Sequence, residues 1–266
     1  MGSAHHPRRS RRAPRTSRSP LEGKFKPDSH ETGCPRGFGP LASVAMDVHR
    51  WTLGKMQNPV RGIMHGAAAV AAVVGTVYLA WQAPNLGTRL GAIVFGLAMI
   101  ALYTTSSLYH GVPWGEAAKK RMQRLDHTMI LVLIAGTYTP IAIVALDGWL
   151  QWVVLGVAWG AVAIGAAQHT FFPRDGQAFS MALGLTMGWL GILIGWKFVQ
   201  ELGWTAAILG LVGGAIYSLG VILLATNRPK LWPRVFSYHE VFHIMVVTAT
   251  SIHFVLVSRY VIPLGA

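Results

Sequence analysis

Long apolar runs separated by short polar clusters dominate this chain. With Asp, Glu, Lys and Arg taken as breaks, the uncharged stretches are 62–88, 90–115, 127–146, 148–173, 176–196, 202–227 and 241–258. Each is close to the roughly 20 residues that cross about 30 Å of hydrocarbon as a helix. All are rich in Leu, Ile, Val, Ala and Gly. The period-two alternation of a membrane barrel is missing, and lipid admits no other spanning backbone. The pattern therefore predicts an all-α integral membrane protein with seven transmembrane helices.

Composition agrees. The 266 residues are 52% hydrophobic and only 12% charged, about half the charge of a soluble domain. The single Cys34 excludes a disulfide framework, an iron–sulfur cluster and a cysteine-based zinc finger. The net charge of +13 would suit nucleic acid, but its distribution argues otherwise. Residues 1–61 carry 12 of the 23 Lys and Arg, and such a basic tract beside a membrane meets anionic lipid before nucleic acid. No nucleic-acid partner is expected. With the N-terminus inside, the inner loops hold eight Lys and Arg against three outside (Arg89, Lys197 and Arg259). The positive-inside rule then places the N-terminus in the cytoplasm and the C-terminus outside.

Three regions follow. Residues 1–45 are Arg/Ser/Pro-rich and are expected to form a disordered basic tail. Their composition also resembles a transit peptide, and Met46 offers an alternative translation start. Residues 46–58 mix Trp51, Leu53 and Met56 with Arg50 and Lys55, as a short interfacial segment would. Residues 59–266 form the membrane domain.

Ionisable groups inside lipid each cost a few kcal/mol unless partnered, so they mark candidate chemistry. Here they are His65, His110, Asp126, His127, His169, His239, Glu240, His243 and His253. The second span ends near His110, the third starts at Asp126 and the seventh starts near His239, all at the cytoplasmic surface. His239 and His243 are spaced i, i+4, so one helix face can offer both to a single metal. Ser106 lies one turn before His110. Three imidazoles with a fourth position left open is the arrangement of a catalytic zinc, and the lack of cysteine ligands makes Zn2+ the first choice. Asp126 is placed to orient or deprotonate the metal's water.

Ser106–Ser107–Leu108–Tyr109–His110, Asp126 within RLDHTMILVLIAGTYTP, and His239–Glu240–Val241–Phe242–His243 with VVTATSIHF just beyond resemble the hemolysin III / progestin and adipoQ receptor family. The likeness covers about residues 58–262. It implies seven helices, a cytoplasmic N-terminus and a zinc on the cytosolic side held by His110, His239 and His243. Asp126 would hydrogen-bond the zinc water, with Ser106 beside it. The wider superfamily includes alkaline ceramidases, which hydrolyse a lipid amide.

The expected function is therefore a zinc-dependent hydrolase of a ceramide-like membrane lipid, with Asp126 and Ser106 as catalytic residues, in a bacterial plasma membrane. Ser106 is better suited to orientation or oxyanion stabilisation than to nucleophilic attack. One alternative is a receptor-like or regulatory protein with structural zinc. Another is cytolysis by a pore-former, as the hemolysin name suggests. His65 and His169 are expected in structural or interfacial roles and His253 as a packed polar group. His127 is expected to face away from Asp126, and Glu240 to pair with Arg234 or interfacial water. The pairs Gly184/Gly188, Gly191/Gly195 and Gly210/Gly214 read as small-xxx-small helix contacts. Pro140 is expected to kink the third helix, with Thr137 and Thr139 serving the freed backbone groups.

Overall fold

The structure, a computed structural model, describes residues 58–172, 176–232 and 236–265, and it is helical. The basic tail and most of the interfacial segment lie outside the described residues. The helices are α1 (Pro59–Gln82), α2 (Leu86–Gly111), α3 (Glu116–Ala145), α4 (Gly148–Phe171), α5 (Gly176–Leu190), α6 (Gly195–Thr226) and α7 (Tyr238–Leu256). A 3-10 turn, Gly191–Ile194, joins α5 to α6, and α7 continues through a π turn, Val257–Val261, into a 3-10 turn, Ile262–Gly265.

Six helical runs among the described residues are long and apolar enough to cross a membrane. Four are single helices, and a fifth, Tyr238–Gly265, is α7 with its π and 3-10 continuation. The remaining run, Ala178–Thr226, has 49 residues and would be about 73 Å long if straight, more than twice the hydrocarbon thickness. It is not straight. Gly203 has φ 81° and ψ 168°, a conformation essentially restricted to glycine, and it interrupts α6. Trp189 Nε1 donates to Ser218 Oγ at 2.9 Å across 29 residues of sequence. In a continuous helix those positions would be about 43 Å apart, so the chain doubles back at Gly203.

Two boundaries differ from the charge-based reading. Arg89 lies inside α2, and the first turn comes earlier, at Ala83–Pro84–Asn85. Pro84 disfavours helix at the residue before it, and the Asn85 side chain accepts from Thr88 N at 2.9 Å to start α2. Arg89 reaches back to the carbonyls of Ala80 and Ala83 at the end of α1, satisfying groups that a helix C-terminus leaves open. The third helix starts at Glu116, ten residues before Asp126, because the cluster Glu116–Arg124 consists largely of good helix formers that need not lie in lipid.

The helix α3 is central, packing on α2, α4, α5 and α6, while α1 packs on α2 and α7 and α6 packs on α7. Leu79, Phe95, Leu102, Leu133, Ile141, Ala206 and Leu256 belong to one buried cluster drawn from α1, α2, α3, α6 and α7. Pro140 is accommodated inside α3. A Cβ on Gly91 would lie 2.9 Å from the Pro140 Cα, so α2 can approach there only as glycine. Thr137 and Thr139 donate to the carbonyls of Leu133 and Ala135, not to that of Gly136, the acceptor the proline leaves free. Outward faces are apolar: Trp81, Trp149, Trp204, Trp232, Val70 and Leu193 all stand exposed, as side chains solvated by lipid do.

Candidate functional site

The site forms where the end of α2 meets the start of α7. A capping box opens α7: the Glu240 carboxylate accepts from Ser237 N at 2.7 Å, and Glu240 N–H is three residues beyond the Ser237 cap. This begins the helix early enough to put His239 in its first turn and His243 one turn on, on the same face. His110 arrives in the last turn of α2.

One ring nitrogen from each of His110, His239 and His243 lies within 4.8 Å of the others, a group that can hold a metal ion. Ring centroids are 5.2 Å apart for His110–His239, 4.8 Å for His110–His243 and 5.0 Å for His239–His243. The donor set tests well against that use. His110 Nε2 is buried with no hydrogen-bond partner among the described residues, and such orphans are rare without an ion or water. His243 Nδ1 is engaged by His65 Nε2 at 3.0 Å, leaving Nε2 for a metal. Three imidazoles without thiolates suit zinc or a similar borderline ion.

Asp126 is 8% exposed, and its Oδ1 has no partner among the described residues. Ser106, one turn before His110, adjoins the Asp126 carboxyl. Ser106, Asp126, His239 and His243 line the same cavity. All five residues singled out in the sequence thus gather at one end of the bundle.

That cavity holds about 1120 Å³. Along α3 it is lined from Gln123 to Ile141, a run of about 27 Å. Beyond the polar end its wall is mainly Leu, Ile, Val, Trp and Gly from α3, α5, α6 and α7.

Other residues fall into place around it. His65, read from sequence as structural, is 2% exposed and touches the candidate ligand His243 directly. Nothing in sequence spacing gives that contact, because 178 residues separate the pair. Glu240 pairs with Arg61, whose Nε donates to Oε1 at 2.7 Å; Arg234, the partner expected from sequence, lies outside the described residues. His127 does not leave the cavity: it lines the wall beside Asp126, with its ring 5.9 Å from that of His169. His169 is buried and shares a hydrogen bond with Ser180, linking α4 to α5. His253 packs as expected, against Gly210 O and the Tyr217 ring.

The glycine pairs divide. A Cβ at Gly184 or Gly191 would meet α3 side chains, and one at Gly210 would meet Leu256. At Gly188, Gly195 and Gly214 it would meet nothing within 4 Å among the described residues. Those three line the cavity, so for them the reading as helix contacts is corrected. The close approach on α6 is made by Gly213, where a side chain would overlap the His253 ring.

The family profile described as Haemolysin-III related matches residues 54–254. The chain is 31% identical over 217 residues to Hemolysin-3 of Bacillus cereus, covering 80% of this chain and 96% of that relative. It is 29% identical over 201 residues to a Hemolysin-3 homolog of Bacillus subtilis, covering 74% and 91%. The human Monocyte to macrophage differentiation factor is 23% identical over 205 residues, covering 74% and 81%. A helical bundle with long apolar helices, a buried three-histidine group and a profile match over most of its length make this chain a member of the Haemolysin-III related family, within the hemolysin III / progestin and adipoQ receptor group.

Proposed function

We propose that this protein is a zinc-dependent hydrolase of a lipid amide of ceramide type, acting in the bacterial plasma membrane. The observation that carries the reading is the three-histidine group beside Asp126, buried and with Oδ1 lacking a partner among the described residues, at the polar end of a long apolar cavity. In this reading the run Ala178–Thr226 crosses twice, reversing at Gly203, which gives seven spans. The Lys and Arg distribution then puts the N-terminus and the metal site on the cytoplasmic side. His110, His239 and His243 would hold the zinc. Bound there, it would supply Lewis acidity for carbonyl polarisation and for ionising water near neutral pH. The cavity wall takes the acyl chain and excludes water, bringing the amide to the polar end. As water oxygen bonds to the carbonyl carbon, the Asp126 carboxylate accepts its proton. That proton passes to the amine as the C–N bond breaks, releasing a fatty acid and an amine. Ser106, against Asp126, orients the carboxyl.

The test is fatty-acid release from a panel of ceramides by the detergent-purified protein, with Asp126→Asn as control. The expected result is zinc-dependent release that falls by at least 100-fold in Asp126→Asn. Zinc bound without release from any ceramide would favour the regulatory reading with structural zinc. The name of the Bacillus cereus relative suggests lysis, but an apolar wall suits a lipid chain and gives ions no hydrated path.

A further inference from the structure

The candidate ligands come from α2 and α7, yet the polar contacts around them run through α1. Over its first two turns α1 touches both partners. Asn58 N donates to the backbone oxygen of His110 itself at 3.1 Å. One turn on, Ser107 Oγ of α2 donates to Gly62 O at 2.7 Å. On the other side Arg61 Nε donates to Glu240 Oε1 at 2.7 Å, and His65 meets His243 at 3.0 Å. Arg61 and His65 are i, i+4 on α1, while Glu240 and His243 are i, i+3 on α7, so two adjacent turns of each helix are joined twice.

We infer that the first two turns of α1 are a splint that sets the metal geometry, with His65 and Arg61 as positioning residues. The inference rests on the metal reading above. If His243 offers Nε2 to the ion, its ring proton must sit on Nδ1, and that N–H donates to His65 Nε2. His65 then keeps its own proton on Nδ1. The hydrogen bond fixes both the tautomer and the ring plane of His243, as carboxylates or carbonyls do at other metal-bound histidines. Arg61 acts one step further back. It holds the Glu240 carboxylate that starts α7, and so the turn that carries His239. The Asn58 and Ser107 contacts hold His110 at a fixed height against the same two turns.

The variants His65→Gln and His65→Leu separate positioning from packing, since both fill the space but only Gln offers an acceptor. Full-length protein in detergent would be compared with wild type by zinc chelator competition and by the visible spectrum of added Co2+. His65→Leu is expected to bind zinc about 10- to 100-fold more weakly and to change the Co2+ bands. His65→Gln should recover part of both. Arg61→Gln, an independent variant, should weaken zinc several-fold. If His65→Leu does not fold, as judged by helical circular dichroism, the graded order wild type, Arg61→Gln still decides. Wild-type affinity in every folded variant, or equal losses in His65→Gln and His65→Leu, would overturn the splint. Wild-type protein that takes up no metal would instead sink the metal reading on which the splint stands.

Discussion

The two sides of the bundle are built differently. On the α1–α2–α7 side, helices are joined by specific pairs: Arg61 with Glu240, His65 with His243, Ser107 with Gly62. On the α3–α5–α6 side, the helices stand apart around a cavity of about 1120 Å³, and Gly188, Gly195 and Gly214 face open space. The first construction fixes positions to a fraction of an ångström, which a ligand set needs. The second leaves room of an approximate shape, which suits a flexible apolar occupant. Directed polar contacts in lipid are modest individually, so the first side relies on several acting on the same two turns.

Neighbouring glycines on α6 give the sharpest way to break this comparison. Gly213→Leu would drive a side chain into the His253 ring. It should destabilise the folded protein by about 1–3 kcal/mol or more, read as a lower midpoint of thermal unfolding in detergent. Gly203→Ala should cost about 1–3 kcal/mol, because the new residue must hold φ 81°. The helical content should survive while the Trp189–Ser218 hydrogen bond weakens, visible as a change in tryptophan fluorescence. The smallest change in stability is expected at Gly214→Leu, one residue from Gly213. Its side chain enters the cavity, so the unfolding midpoint should barely move while lipid turnover drops. Equal destabilisation by Gly213→Leu and Gly214→Leu would erase the difference between the two sides.

Much of the polar end was legible in the sequence because its signals are local. His239 and His243 share a helix face by spacing alone, and Ser106 and His110 do likewise. The span order then carries His110, Asp126 and His239 to one end. His65 is an intramembrane ionisable group that sequence alone marks only as structural, since its link to His243 spans 178 residues and follows no spacing rule. The Arg61–Glu240 pair is equally hidden, because it joins residues 179 apart in sequence. Charge also marked the first loop wrongly. Arg89 is in α2, where its guanidinium closes α1, and the turn itself is the uncharged Ala83–Pro84–Asn85. Glycine spacing identified flat helix faces but not what meets them, which differs between Gly184, against α3, and Gly188, against open space.

The proposed chemistry depends on His110, His239 and His243 holding one metal ion. Elemental analysis of detergent-purified wild type beside His239→Ala/His243→Ala tests it most directly. One zinc per chain is expected in the wild type and none in the double variant, with helical content unchanged. A well-folded wild type with no zinc above background, even after loading, would contradict it and leave the three histidines as groups that pack α2 against α7.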